Sequence, residues 1–346
     1  MTNKRYNIAV VGVTGAVGQK LIQMLEKAQL PIEKFVPMAS KRSAGQKIIF
    51  KNQEIEILEA TPEAFEGVDI AIFSAGGSIS KQLAHEAVKR GAVVIDNTSA
   101  FRMEQDVPLI VPEVNKDDIK NHKGIIANPN CSTIQMVVAL EPIRQKYGLN
   151  RVIVSTYQSV SGSGNAAIEE LKEQTKAMLH GEEVTAHVLP VKSEKKHYPI
   201  AFNALPQIDV FQDNHFTFEE MKMINETRKI MHLPELKIAA TCVRVPFLYS
   251  HAESVYIEID RNDVTIDDIK SLLAQSPGIV VEDDIHEQIY PTPLSSEGKT
   301  DVFVGRIRKD LDVPNGFHFW VVSDNLLKGA AWNSVQIAKA LIESYL

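Results

Sequence analysis

The chain has 346 residues, 44% apolar and 23% charged, with a formal net charge of −7 at pH 7. That length exceeds what one hydrophobic core organises and predicts two domains. The acidic balance argues against nucleic acid or an anionic membrane as the main partner, because both select basic faces. Two cysteines, Cys131 and Cys242, exclude a disulfide framework and predict a reducing, cytoplasmic setting. The apolar start is interrupted at once by Gly12 and Thr14, and no segment approaches the roughly 18 apolar residues of a membrane helix.

Ile8-Ala9-Val10-Val11 is a continuous apolar run, as in a central strand of a parallel sheet. Gly12, Gly15 and Gly18 follow at G-x-x-G-x-x-G spacing, and a helical pattern runs from Gln19 to Ala28. Strand, glycine turn and helix together predict a loop, opening at Gly12, whose backbone N–H groups meet a pyrophosphate at the helix N-terminus. A purely structural turn is the alternative. The next strand, Phe35 to Ala39, ends in Ser40-Lys41-Arg42-Ser43. A NAD site presents an acid here for the ribose 2′-hydroxyl, whereas two bases between two serines suit a 2′-phosphate. Arg42 and Ser43, with Ser40 beside them, are the predicted NADP contacts; a solvated basic turn is the alternative. Strands at Asp69–Phe73 and Ala92–Asp96 lead into Ser74-Ala75-Gly76-Gly77-Ser78 and into a turn containing Arg102. Ligands of open parallel sheets bind beyond the carboxyl ends of the strands, so Ser74 is predicted to line the cofactor and Arg102 to project its charge there; a surface arginine is the alternative.

Gly124 to Ala127 reads as a short buried strand, and Ile134 to Tyr147 as a helix. Between them Asn128-Pro129-Asn130-Cys131-Ser132-Thr133 places Cys131 at a helix start, where orphan N–H groups and the macrodipole favour a thiolate. Cys131 is therefore the candidate nucleophile, a buried apolar cysteine being the alternative. Beyond Tyr147 the pattern becomes α+β. Strands are predicted at Val152–Val160, Val243–Val245, Ser254–Ile259 and Val302–Ile307, and helices at Ala166–Leu179, Phe218–Met231 and Leu326–Tyr345, the last returning to the first domain. Residues 180–215 carry no decisive pattern. Arg244, in an apolar stretch, requires an anion, either a substrate carboxylate or a structural Asp or Glu. His251, seven residues on, is a candidate base. Glu219 and Lys222 at i, i+3 read as a surface salt bridge, and Cys242 as core.

The segments GVTGAVG at 12–18, SKRS at 40–43, NPNCST at 128–133, TYQSVSGSG at 156–164, EEMK at 219–222, RVPFLYSH at 244–251 and SDNLLKGAA at 323–331, in this order, resemble aspartate-semialdehyde dehydrogenases over essentially the whole chain, their Gram-positive branch in particular. The resemblance implies an α/β Rossmann-type NADP-binding domain at 1–130, completed by a C-terminal helix at 326–346. It also implies an α+β catalytic and dimerisation domain at 131–325, glyceraldehyde-3-phosphate-dehydrogenase-like in fold. The implied activity is NADP-dependent reductive dephosphorylation of L-4-aspartyl phosphate to L-aspartate 4-semialdehyde by a homodimer, without a metal, for lysine, threonine and methionine synthesis. In that scheme Cys131 is the thioester nucleophile, His251 the acid/base and Gln158 the group that orients substrate. Arg244 holds the α-carboxylate and Glu219 lies near the amino group. Arg102, Lys222 and Asn130 hold phosphate, while Thr14, Gly15, Ala16, Val17, Ser161, Gly162 and Asn325 complete the cofactor lining. The nearest rival, N-acetyl-γ-glutamyl-phosphate reductase, has Gly before its cysteine where this chain has Asn130; a non-catalytic NADP-binding regulator is a second alternative.

Overall fold

A computed structural model describes residues 4–346, which divide into two compact units: 4–130 with 330–346, and 131–329. The first contains β1 (Tyr6–Val11), α1 (Ala16–Lys27), β2 (Ile32–Ala39), the hairpin β3 (Lys47–Phe50) and β4 (Gln53–Glu56), β5 (Leu58–Glu59), β6 (Ile70–Phe73), α2 (Gly77–Lys89), β7 (Val93–Asp96), α3 (Pro112–Asn115) and β8 (Ile125–Ala127). Six of these strands form one parallel sheet in the order β5-β2-β1-β6-β7-β8. Every residue of β6, β7 and β8 is buried, which is why they read as apolar runs, broken only by Asp96 at the end of β7. The crossovers β1→β2 and β6→β7 run in opposite directions, so with the usual right-handed sense α1 and α2 cover opposite faces. The order reverses between β1 and β6, which defines a crevice at the carboxyl ends of those strands. The C-terminal helix Trp332–Ser344 packs beside α1, where Lys27 Nζ lies 5.8 Å from the Trp332 ring centroid.

The second unit contains α4 (Cys131–Tyr147), β9 (Arg151–Gln158), α5 (Asn165–Leu179), α6 (Phe218–Ile230), β10 (Lys237–Arg244), β11 (His251–Glu258), α7 (Ile266–Ala274), β12 (Ile279–Val281), α8 (Pro293–Ser296), β13 (Val302–Lys309) and β14 (Gly316–Ser323). Its mixed sheet has the order β10-β9-β11-β14-β13-β12. Alternation is clean along β9: Val152, Val154, Thr156 and Gln158 are buried, and their neighbours are not. Helices α4, α6 and α7 pack on the sheet. Tyr157 and Trp320 point away from that buried set and meet at 5.4 Å between ring centroids. Among the described residues no helix is long and apolar enough to cross a membrane.

Several boundaries differ from those read in the sequence. Helix α1 starts at Ala16 rather than Gln19, because the glycine turn is already its first turn. Strand β10 starts six residues before Val243, with a weakly apolar Ile-Ala-Ala-Thr segment that gave no strand signal. The crossing to the C-terminal helix falls at 329/330 rather than 325/326, since Asp324 and Asn325 anchor the intervening turn within the second unit.

Candidate active site

In the first unit the three loop glycines serve different ends. Gly12 has φ +90°, and a Cβ there would stand 2.9 Å from the Ser74–Ala75 backbone. A Cβ on Gly18 would lie 2.2 Å from the Gly12 carbonyl oxygen, so helix and loop can pack only around glycine. Gly15 is the N-cap of α1 and supplies no side-chain oxygen to the first turn. The N–H groups of Gly12 and Val13 are spent on the Met38 carbonyl at 2.9 and 3.2 Å. Those of Ala16 and Val17 head the helix and suit an anion. At the end of β2, Ser40, Lys41 and Arg42 are exposed and Ser43 is buried. Ser74 Oγ donates to the Val11 carbonyl at 3.2 Å. Arg102 is buried, with Nε on the Asn128 carbonyl at 3.0 Å and an Nη on the Asn97 carbonyl at 2.9 Å. Asn128 is held in turn by Asn333, 2.8 Å away, and Asn130 is also buried.

The second unit opens on Cys131, the half-buried first residue of α4. A Cβ on Gly329 would stand 2.6 Å from the Cys131 Cβ, so that glycine gives the thiol's helix its room. Parallel pairing of β10 with β9 sets Arg244 opposite Gln158, and antiparallel pairing of β9 with β11 brings His251 to the same end of the sheet. One step deeper lie Cys242, Thr156 and Glu253, also in register. Thr156 Oγ1 donates to Gln158 Oε1 at 3.0 Å, and Gln158 Nε2 donates to Glu219 Oε1 at 3.1 Å, so the Gln158 amide is fixed at both ends. Glu219 is carried on α6, whose start is set by a Thr217–Glu220 capping box. Glu220 also accepts from the Cys242 N–H at 3.1 Å and so ties that helix to β10.

Arg244 is 4% exposed. Its Nη1 donates to the Ser159 carbonyl at 2.7 Å and its Nη2 to Ser163 Oγ at 3.0 Å, while Nε has no partner. No carboxylate lies within ion-pairing distance of it among the described residues. Burial pulls its pKa down, and the charges of Glu219 and the Cys131 thiolate oppose that shift. His251 is fully buried; the Ser159 backbone N–H donates to its Nδ1 at 3.1 Å. A backbone N–H can only donate, so Nδ1 accepts and the neutral ring carries its proton on Nε2, which has no partner. Burial, and then the Arg244 charge, hold its pKa at about 3. Asn325 Oδ1 accepts from Ser159 Oγ (3.1 Å), Ser161 Oγ (3.2 Å) and the Ser250 N–H (2.9 Å), which locks the turn that positions His251. Gly162 is exposed there, and a Cβ on it would stand 3.0 Å from Arg244 Nη1 and 3.5 Å from His251 Nε2.

Lys222 Nζ donates to Glu219 Oε2 at 3.1 Å and to Asp209 Oδ2 at 2.8 Å. The pair expected at the surface is instead largely buried, the side chains of Lys222 and Glu219 being 14% and 5% exposed; i, i+3 spacing reveals adjacency but not which way a helix faces. Cys242 is buried and its thiol pKa is raised, chiefly by desolvation. Four contributors carried no signal of their own in the sequence: Thr156, Ser159, Asp209 and Glu253. The last is fully buried with neither carboxylate oxygen partnered, and burial raises its pKa well above the usual carboxylate range.

A doubly wound dinucleotide sheet, joined in one chain to a sheet with a thiol, an imidazole and an unpaired buried guanidinium, defines a nicotinamide-dependent oxidoreductase. Residues 7–122 match the semialdehyde dehydrogenase NAD binding domain, and residues 140–328 the semialdehyde dehydrogenase dimerisation domain. The chain is 66% identical over 335 residues to the aspartate-semialdehyde dehydrogenase of Bacillus subtilis, covering 97% of each chain. It superposes with TM-score 0.93 on the crystal structure of aspartate semialdehyde dehydrogenase II complexed with ASA from Vibrio cholerae, at 42% identity over 99% of this chain and 100% of that one. The aspartate semialdehyde dehydrogenase with NADP from Candida albicans gives TM-score 0.75 at 26% identity, covering 98% of this chain and 99% of that one. The chain belongs to the aspartate-semialdehyde dehydrogenase family. Its activity is the family's reductive dephosphorylation of L-4-aspartyl phosphate to L-aspartate 4-semialdehyde, in lysine, threonine and methionine biosynthesis.

Proposed function

We propose that the protein is a cytoplasmic, NADP-dependent homodimer that works through a thioester on Cys131. The observation that carries this reading is Arg244: a buried guanidinium with an orphan Nε and no carboxylate beside it is matched to an anion from outside the chain. The substrate α-carboxylate supplies that anion, while Gln158 and Glu219 meet its amino end. Cys131 then attacks the acyl carbon, the carbon–oxygen bond to phosphate breaks, and Arg102, Asn130 and Lys222 take up the departing phosphate. The nicotinamide, when bound, supplies hydride to the thioester. The Nε2–H of His251 meets the oxygen on which charge builds, and the thiohemiacetal collapses with return of the thiolate. A carboxylate on Arg244 offsets the charge that helps hold His251 near pKa 3, so substrate makes the imidazole more basic when a proton must move.

Among the cofactor residues, Thr14, Ala16, Val17 and Ser74 suit the pyrophosphate side, while Gly12 and Gly15 shape the loop, their N–H groups being bonded to the Met38 and Gly12 carbonyls at 2.9 and 3.1 Å. Ser161, Gly162 and Asn325 suit the reacting end, Asn325 by holding Ser161. The exposed Ser40, Lys41 and Arg42 with Ser43, and no acid among them, favour a 2′-phosphate and so NADP. The test is NADPH formation from aspartate semialdehyde with and without phosphate. Sustained turnover only with phosphate is the expected result; phosphate-independent turnover overturns the reading.

A further inference from the structure

Lys222 is held by more than its helix neighbour. The segment 205–218 leaves the edge of β10, where Leu205 and Arg244 exchange backbone hydrogen bonds at 2.9 and 2.8 Å. It reaches α6 through the Phe218 N–H, which donates to the Val210 carbonyl at 2.8 Å. Asp209 lies between these two anchors at φ +68°, a left-handed backbone that Asp and Asn tolerate better than most residues. Its Oδ1 accepts from the Val210 N–H at 2.9 Å, which fixes the carboxylate, and its Oδ2 takes Lys222 Nζ at 2.8 Å. The Lys222 ammonium is thus gripped by two carboxylates and stands 4.6 Å from the Phe218 ring centroid. Glu219 divides its two oxygens between Gln158 and Lys222, while Asp209 brings the shorter contact to the lysine from outside its helix.

We propose that Asp209 is a positioning residue of the phosphate site, holding the Lys222 ammonium where the phosphate of substrate or product binds. The inference rests on Lys222 being a phosphate ligand. It acts through a lysine, a flexible stem carrying a point charge, for which a rigid partner decides direction.

The test uses the full-length enzyme oxidising aspartate semialdehyde at varied phosphate. Asp209→Gly removes the carboxylate without straining the left-handed backbone, and Asp209→Asn keeps one acceptor oxygen where the carboxylate offers two, so it can serve the Val210 N–H or Lys222 but not both. Asp209→Gly is expected to raise the phosphate KM on the order of tenfold, the size of one charge-assisted hydrogen bond, while leaving the KM values for semialdehyde and NADP within about twofold. Asp209→Asn, with one acceptor for two donors and no charge, is expected to raise the phosphate KM as well, by no more than Asp209→Gly. An unchanged or lower phosphate KM in Asp209→Gly, or an equal rise in all three KM values, would each overturn the proposal. Lys222→Ala separates the two layers. If it leaves the phosphate KM unchanged, the phosphate role of Lys222 fails; if it raises that KM while Asp209→Gly does not, only the role of Asp209 fails.

Discussion

Replacing Arg244 separates binding from stability. The guanidinium is fixed by hydrogen bonds of 2.7 and 3.0 Å to Ser159 and Ser163, and its Nε remains unpaired. Arg244→Lys keeps a positive charge, but one ammonium cannot hold both of those partners and a planar carboxylate. Truncating one partner of a buried charge pair costs about 2–5 kcal/mol, so kcat/KM for aspartate semialdehyde should fall between roughly 30-fold and roughly 4,000-fold. Arg244→Met removes a desolvated cation that has no carboxylate partner, so the ligand-free variant should unfold at the same temperature as the parent or higher, despite losing two hydrogen bonds. Steady-state kinetics and thermal unfolding with and without substrate analogue read both effects. An Arg244→Lys enzyme within threefold of the parent, or an Arg244→Met variant still stabilised by a carboxylate ligand, would refute the assignment.

Three other outcomes follow from the titrating groups and the cofactor turn. His251 has a folded pKa of about 3 against an ordinary value of 6.5, so its contribution to stability is present above pH 6.5 and lost as pH falls toward 3. His251→Gln should flatten that limb by about 2 kcal/mol between pH 7.5 and 5 in urea unfolding; an unflattened limb contradicts it. Glu253 shifts the other way. Its folded pKa is raised, so stability is lost as pH climbs above the unfolded carboxylate value, and the advantage of Glu253→Gln should widen from pH 5 to 8. A gap that is constant or narrows with pH would show that the carboxyl is ionised in the fold. Arg42→Ala should lower the preference for NADP over NAD in kcat/KM; an unchanged ratio removes the Ser40–Ser43 turn as the 2′-phosphate site.

The parts of this molecule legible in its sequence are those decided locally. A buried parallel strand needs an unbroken apolar run, and a glycine turn declares itself, so β1, its loop and α1 could be read directly. The same holds for Cys131 at a helix start, because Pro129, Ser132 and Thr133 are local punctuation. Arg244 could be singled out but not explained: whether a carboxylate stood beside it depended on strand register and on a segment some forty residues upstream. Asp209 was invisible because its partner lies on a helix that begins only after the loop turns back. Glu253 carried no signal, since the strand read in the sequence begins only at Ser254 and nothing in His-Ala-Glu-Ser says which alternate positions face inward. The strand β14 runs into Ser323, Asp324 and Asn325, and no local pattern separates what these three do. Ser323 bonds Gln135 at 2.8 Å, Asp324 caps the following turn, and Asn325 holds the Ser159 turn.

The covalent intermediate is the most direct test. Enzyme mixed with NADP and aspartate semialdehyde in phosphate-free buffer should give a burst of NADPH equal to the active sites, and the peptide containing Cys131 should gain one aspartyl group that added phosphate discharges. No burst, or an aspartyl group on any residue other than Cys131, would contradict the thioester.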